Sequence, residues 1–200
     1  MKTDLFFFAY SSFGQPLKDK KITNYNGFFN FYYEEAEDKI YLEVDKLDQE
    51  FLYVSSLASG VGSNDIGLDR GQLGGERVVK FIKAGNKLLL LQPNLDYRAI
   101  TDNELEKRSV EQAFAKSVLF GFKIIENNNG KYIIDFTSFL MQDMHGVSSR
   151  LSSNKQGSYK IDKSKDIEFL PMGALNSKEY LFYFKKRETS CSKFILFNKI

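Results

Sequence analysis

Cysteine, histidine and tryptophan are almost missing from this sequence, which holds one cysteine (Cys191), one histidine (His145) and no tryptophan. A lone cysteine excludes a disulfide framework and a cysteine-rich zinc site within the chain. A lone histidine excludes a metal centre built on two or three imidazoles, and it leaves a single candidate imidazole base. Any chemistry that needs several histidines must therefore be supplied by other polypeptide.

An excess of charge of one sign and a long apolar run are also missing. Lysine and arginine number 28 and aspartate and glutamate 26, so the net charge is +2. This balance is not the electrostatic footprint of a protein that binds nucleic acid or an anionic membrane. No stretch approaches the roughly 20 apolar residues of a transmembrane helix. We therefore expect no nucleic-acid partner and no transmembrane segment.

The composition that remains is that of a folded globular domain, with 42% hydrophobic and 27% charged residues in 200. One domain is the default at this length. The first residues, MKTDLFFFAYSSFGQ, place Lys2 before an apolar stretch and small residues after it. Two interpretations of residues 1–21 stay open, a short or truncated signal segment and a disordered or edge-packing N-terminus.

Alternating apolar residues predict β-hairpins along much of the chain. Gly27–Val44 alternates with period two around a polar turn, and Phe51–Ser56 predicts the next strand. Turn residues predict two further hairpins, at 84–86 and at 127–130. The unbroken run Leu88–Leu91 predicts a strand that is covered on both faces.

One segment predicts a helix. Thr101 and Glu104 have the spacing of a capping box, and an apolar stripe of helical spacing follows over residues 110–118, with Gly121 expected to loosen the helix end. A shorter helical region is predicted between Ser138 and Leu151, and late strands within 158–170 and 180–184. The predicted fold class is α+β, a mostly antiparallel sheet built from hairpins with one main amphipathic helix and a shorter helix packed on it.

The Gly-rich loop, residues 60–75 (GVGSNDIGLDRGQLGG), is the first candidate site. A phosphate cradle does not fit, because no Gly-Lys-Ser/Thr follows and the next element is a strand. A Rossmann glycine pattern does not fit either, because position 65 is Asp. We predict an ordered surface loop in which Arg70 either forms a buried ion pair or faces a carboxylate. The candidate interface or structural residues here are Asn64, Asp65, Gly67, Asp69, Arg70 and Gly71.

Asp135, Asp143 and His145 form the second candidate cluster. Two carboxylates and an imidazole could hold a metal or act in acid–base chemistry. The structural interpretation is stronger, because Asp135 precedes Thr137 at a favourable position for a capping carboxylate. Asp143 and His145 would also point in different directions on a helix. We keep all three as candidate interface or structural residues and assign no catalytic and no metal-binding residue.

Four segments carry a resemblance to one bacterial family. They are residues 51–99, 110–122 (VEQAFAKSVLFGF), 134–146 (IDFTSFLMQDMHG) and 157–162 (GSYKID). Across roughly residues 22–170 the chain resembles the uncharacterised domain that precedes the catalytic domain in zinc-dependent metallopeptidases of Bacteroidetes and proteobacteria. The Gly-rich loop with Asp69-Arg70-Gly71 is the most specific part of this resemblance.

The resemblance implies that catalysis belongs to a downstream HExxHxxGxxH motif, in which histidines on a helix bind zinc and the glutamate activates water. This chain lacks that motif. We therefore expect no cofactor here, and zinc only in the absent catalytic domain. The resemblance also implies a single α+β accessory domain over residues 22–184, a basic divergent tail over 185–200, and export to the periplasm, the outer membrane or the medium. A separate domain and a truncated reading frame are both consistent with it.

Three functions remain open, and the first is preferred. The domain packs on the catalytic domain or assists its folding, with the Gly-rich loop near the interface. Alternatively it is a stand-alone module in which an aromatic-rich sheet, drawn from 19 Phe and 11 Tyr, binds a peptide or a glycan. Residual catalysis would need a nucleophile–base pair that the sequence does not offer. A domain cut from a larger fold should expose an apolar patch of several hundred Å².

Overall fold

The computed structural model describes residues 17, 20–57, 64–69, 73–160, 168–169, 180–185 and 193–199. The predicted signal segment therefore lies almost wholly outside the described residues, with Leu17, Lys20 and Lys21 as exceptions. Arg70 and Gly71 of the Gly-rich loop also lie outside them. Among the described residues, no helix combines the length and the apolar character needed to cross a membrane.

The described residues form one antiparallel sheet, three helices and a 3-10 turn at Asn64–Ile66. The strands are β1 (Ile22–Tyr25), β2 (Asn30–Glu34), β3 (Lys39–Val44), β4 (Phe51–Leu57), β5 (Arg77–Ala84), β6 (Lys87–Gln92), β7 (Ser117–Asn128), β8 (Lys131–Asp135), β9 (Glu168–Phe169), β10 (Tyr180–Lys185) and β11 (Lys193–Lys199). The helices are α1 (Glu104–Ala113), α2 (Thr137–Leu140) and α3 (Val147–Ser153). The strand order is β1-β2-β3-β8-β7-β6-β5-β4-β11-β10-β9.

The sheet curves strongly around its aromatic core. Phe29, next to β2, lies with its ring centroid 5.2 Å from that of Phe51 in β4 and 5.5 Å from that of Phe81 in β5. Five strands separate β2 from β4 in the sheet, so these contacts require that the sheet folds its concave face inward. Phe139 of α2 packs into the same core and closes it. The concave face is therefore the main hydrophobic interior, and a smaller cluster around Tyr32, Tyr41 and Ile133 is buried on the convex face.

The predicted α+β fold class is wrong, because the structure is mostly β and its longest described helix buries none of its residues. Helix α1 has ten residues and none of them is buried. Its apolar stripe was expected to continue through Ser117 and Val118, but both residues belong to β7. The expectation failed because Val118, Phe120 and Phe122 also alternate with period two, which is the pattern of a strand. Strand β6 pairs with this segment and so stabilises the strand over the helix.

Two local details follow from the same correction. Gly121 does not loosen a helix end: it lies within β7 opposite Leu89, where a Cβ would come within 3.3 Å of Leu89 Cδ2. Helix α1 begins two residues later than predicted. Its N-cap is Asn103, whose Oδ1 accepts a hydrogen bond of 2.9 Å from Leu105 N, while Thr101 Oγ1 accepts one of 3.1 Å from Asn103 N.

Other predicted elements are confirmed. The hairpins β2–β3, β5–β6 and β7–β8 lie where alternation and turn residues placed them. The shorter helical region is present as α2 and α3. In the Leu88–Leu91 run, Leu88, Leu90 and Leu91 are buried, whereas Leu89 on the convex face is only partly buried. Coverage of this strand on both faces is thus incomplete.

Candidate functional site

The Gly-rich loop docks on helix α3, whose first residue is bonded by Asp143 of the second sequence cluster. Arg150 Nη1 donates hydrogen bonds of 3.2 Å to the carbonyl of Ile66 and 2.9 Å to that of Gly67. Leu68 is fully buried against Val147 and Leu151. Asn64 begins the 3-10 turn of the loop, Asp65 is exposed and Asp69 is partly buried. The loop is therefore ordered around Leu68 by a small apolar cluster of its own.

The two aspartates act as capping groups, a role that the sequence predicted for Asp135 and did not predict for Asp143. Asp135 Oδ1 accepts a hydrogen bond of 3.0 Å from Thr137 N at the start of α2. Asp143 accepts from Val147 N at 2.8 Å and from Ser148 N at 2.9 Å, at the start of α3. Each carboxylate satisfies backbone donors that a helix start would otherwise leave without a partner. Among the described side chains, no group of three His, Cys, Asp and Glu residues is arranged to hold a metal ion.

His145 lies at the C-terminal end of the Gly-rich loop. Gly74 N donates a hydrogen bond of 2.6 Å to the carbonyl of Ser55, which brings the loop end against β4. A Cβ on Gly74 would collide with Ser55 Oγ and lie 3.2 Å from His145 Cε1. The imidazole, the buried Ser55 and the loop therefore meet at one place. This close approach requires that residue 74 has no side chain.

We expect Gly74→Ala to lower the free energy of unfolding by about 1–2 kcal/mol, because the added methyl group overpacks the contact with Ser55 and His145. Gly75→Ala is the matched control. A Cβ there meets no atom within 4 Å, so this change should be neutral or slightly stabilising. Urea denaturation of both variants provides the measurement. Equal effects of the two substitutions would contradict the close approach at residue 74.

Sequence reasoning missed a polar network on the convex face. Lys20 Nζ donates to Glu34 Oε2 at 2.9 Å and to the Tyr41 hydroxyl at 3.1 Å, and that hydroxyl donates to Glu34 Oε2 at 2.8 Å. Leu17 packs beside this network against Tyr32 and Tyr41. The segment before β1 is thereby anchored to the sheet. The sequence contained one indication of this network, Glu34 at the end of β2, but Glu34 was interpreted as part of the polar turn.

The Glu34 carboxyl should make stability depend on acid pH. Burial would raise the pKa of Glu34, but the hydrogen bonds from Lys20 and Tyr41 outweigh burial and hold this pKa below its ordinary value of 4.5. A carboxyl whose pKa is lowered by folding contributes stability above the unfolded pKa and loses it as the pH falls through the folded pKa. We expect wild type to be more stable than Glu34→Gln at pH 7, with a difference that shrinks below about pH 4.5.

Urea denaturation at pH 7, 5 and 3 checks this expectation. Glu37→Gln is the control, because Glu37 is an exposed carboxylate whose ion pair with Lys39 spans 3.5 Å. The control should match wild type at every pH. A difference between wild type and Glu34→Gln that does not change with pH would show that the Glu34 carboxylate is not stabilised by folding.

The β6–β7 connection, residues 93–116, is a second surface that the sequence did not single out. Of the eight exposed large hydrophobic side chains among the described residues, five lie in this connection: Leu95, Tyr97, Ile100, Leu105 and Phe114. A sixth, Val118, follows at the start of β7. Ile100 is 99% exposed and Leu105 is 75% exposed. The connection contains the N-cap bond of Asn103 and a Glu104–Lys107 ion pair of 2.7 Å, and it has no buried residue.

The fold and these surfaces define a mostly-β domain with a docked Gly-rich loop and an exposed apolar connection. The chain belongs to the family described as Domain of unknown function (DUF5117), whose model matches residues 71–173, more than half of the chain. A second model, Domain of unknown function (DUF5118), matches residues 11–60. No curated protein and no solved structure matches the chain.

The two matched regions share one sheet and one core. Strands β3 and β4 of the region matched over residues 11–60 pair with β8 and β5, respectively, of the region matched over residues 71–173. Phe51 of the shorter match also stacks on Phe81 of the longer match, with ring centroids 5.7 Å apart. The boundary between the two matches falls in the Gly-rich loop, so this loop joins two halves of a single folded unit.

Proposed function

We propose that this chain is the non-catalytic accessory domain of an exported zinc-dependent metallopeptidase, and that it packs on the catalytic domain in cis. The observation that carries the proposal is helix α1, which has ten residues and buries none of them. The family resemblance supplies the identity of the partner, and the absence of an HExxH motif from the sequence agrees with a non-catalytic role.

The energetics of α1 support a docking role. Isolated helices shorter than about 12–15 residues are marginal in water, and helices in proteins gain most of their stability from packing an apolar face. Helix α1 presents Leu105 to solvent, with Ile100 just before it and Val118 just after it. Covering these three side chains would remove apolar surface from water at about 25 cal/mol per Å². We name Ile100, Leu105 and Val118 the docking surface.

The experiment expresses the catalytic domain of a family metallopeptidase separately and titrates it with this chain by isothermal calorimetry. We expect saturable binding, and we expect Leu105→Glu to weaken it at least about tenfold, because a carboxylate would be buried without a partner. The variant should keep the stability of wild type, since residue 105 is exposed in the free domain.

Leu73→Glu is the matched control, because Leu73 is also exposed (59%) but lies in the Gly-rich loop. Unchanged binding by this variant supports docking through α1. Loss of binding by Leu73→Glu alone would move the interface to the Gly-rich loop and overturn the assignment to α1. Absence of any binding to the catalytic domain would overturn the accessory role itself.

A second candidate function is a stand-alone peptide- or glycan-binding module. The observation that favours it is the pair Tyr97 and Phe114, whose rings stack 3.9 Å apart on the surface. Exposed and fixed aromatic rings are common in binding sites. Saturable binding of a peptide or glycan, with none to the catalytic domain, would favour this candidate over the first.

A further inference from the structure

An open groove lies where β5, β6 and β7 meet the connection that carries α1. Its volume is about 530 Å³, within the range of natural ligand sites. Tyr97 and Phe114 form one part of its lining, and Glu76, Arg77, Gln92 and Asp96 form another. Ile100, Leu105 and Val118 do not line it, so the groove is separate from the docking surface.

The aromatic part of the groove is preorganised. The rings of Tyr97 and Phe114 are nearly parallel, at 6°, and 56% of Tyr97 remains exposed. Asn94 holds the chain around Tyr97 in place: its Oδ1 accepts from Asp96 N at 3.1 Å and from Tyr97 N at 3.4 Å, and its Nδ2 donates to Tyr97 O at 3.4 Å. The conformational entropy lost when a ligand stacks on Tyr97 would therefore be small.

The polar part of the groove offers both donors and acceptors and has a small excess of negative charge. Arg77 Nη1 donates to Gln92 Oε1 at 3.1 Å, which places a guanidinium beside an amide. The carboxylates of Glu76 and Asp96 line the same groove, so two anions accompany one cation. This excess of negative charge disfavours phosphates and other polyanions, whereas hydroxyl groups can both donate to the carboxylates and accept from Arg77.

We propose that this groove binds a neutral oligosaccharide. A sugar ring has an apolar face of C–H groups and a rim of hydroxyl groups, and the groove pairs a flat aromatic platform with a rim of mixed polar side chains. Ala113 and Ala115 are small, so a flat ligand can approach the platform closely. An apolar peptide side chain would instead require an enclosed pocket, and this groove is open to solvent.

The test titrates the full chain with five neutral hexasaccharides, namely cellohexaose, xylohexaose, mannohexaose, maltohexaose and hexa-N-acetylchitohexaose, by calorimetry and by NMR chemical shifts. At least one should bind and shift the resonances of Tyr97 and Phe114. Tyr97→Ala should weaken that binding about tenfold, which corresponds to about 1.4 kcal/mol. Tyr97→Phe keeps the ring and should retain most of the affinity.

Tyr159→Ala is the matched control, because Tyr159 is 55% exposed, almost the same as Tyr97, and does not line the groove. Equal losses for Tyr97→Ala and Tyr159→Ala would overturn the proposal. It would equally be overturned if none of the hexasaccharides shifted groove resonances at about 5 mM, or if a mixture of random hexapeptides bound there instead. No catalytic domain is needed for this measurement, so a negative result leaves the accessory role to its own test.

Discussion

Phe122→Ala is expected to lower the free energy of unfolding by about 3–5 kcal/mol, the largest effect of any single substitution considered for this domain. Phe122 is 2% exposed and lies at the centre of the concave core. Its ring centroid is 5.3 Å from that of Phe136, 5.8 Å from that of Phe139 and 6.1 Å from that of Phe81. Removing the ring leaves a cavity bordered by β5 and by the segment around α2.

Urea denaturation monitored by circular dichroism checks this expectation. Phe122→Leu should cost less than Phe122→Ala, because leucine fills part of the cavity. Phe114→Ala is the control for aromatic loss at the surface, since Phe114 is 36% exposed, and it should have a small effect. A cost below about 1 kcal/mol for Phe122→Ala would contradict the placement of Phe122 in the core.

The second large effect concerns two buried tyrosines that differ in their hydrogen bonds. The Tyr32 hydroxyl donates a bond of 2.6 Å to Glu43 Oε2, and both residues are buried. Glu43 Oε1 also accepts from Asn30 and from Lys131, each at 3.2 Å. Tyr32→Phe should destabilise the domain by about 2–3 kcal/mol, because it removes a buried hydrogen bond to a charged group.

Tyr53→Phe is the matched substitution with the opposite expected sign. The Tyr53 hydroxyl is buried and makes no hydrogen bond to any residue that the structure describes. Its removal should therefore be neutral or stabilising by up to about 1 kcal/mol. Denaturation of both variants side by side tests the pair. Destabilisation of Tyr53→Phe as large as that of Tyr32→Phe would contradict the difference between the two hydroxyl groups.

Alkaline pH gives an independent test on the same residue. Burial raises the pKa of Tyr53 to about 12, and the nearby Arg77 lowers it only in part. Because the folded pKa lies above the unfolded value of 10, this contribution to stability is complete below pH 10 and is lost as the pH rises toward 12. Tyr53→Phe should lose less stability than wild type over this interval, and identical losses would contradict the raised pKa.

The candidate site shows how far residue-level reasoning reaches. Asp135 was interpreted as a capping carboxylate because a short acidic side chain before a helix has backbone donors within reach, and it forms such a bond. The same role of Asp143 at the start of α3 was not predicted. The contact between His145 and the Gly-rich loop at Gly74 was not foreseeable. It joins residues 71 positions apart, and no local rule gives the orientation of one element on another.

Helix α1 illustrates the opposite failure. An apolar stripe in a helical sequence indicates a face that is stabilised by burial, and this face was expected to pack on the domain's own sheet. The residues do form a helix at Glu104–Ala113, but its face is not covered by the described part of the chain. Periodicity indicates that a face is apolar but does not indicate which surface buries it. The exposure of α1 and the groove beside it were therefore apparent only from the tertiary structure.

The sequence by itself determined the hairpins, the capping role of Asp135 and the impossibility of a metal centre with several histidines in this chain. Turn chemistry and capping depend on residues a few positions apart, and a residue count depends on no structure at all. Only the tertiary structure decided that residues 117–122 form a strand and not the end of a helix. It also decided the curvature that brings Phe29 against Phe81, and the buried hydrogen bonds of Glu34 and Glu43. These features depend on strand neighbours distant in the chain, and the free energy of pairing and burial, more than local propensity, selects among the structures that a segment can adopt.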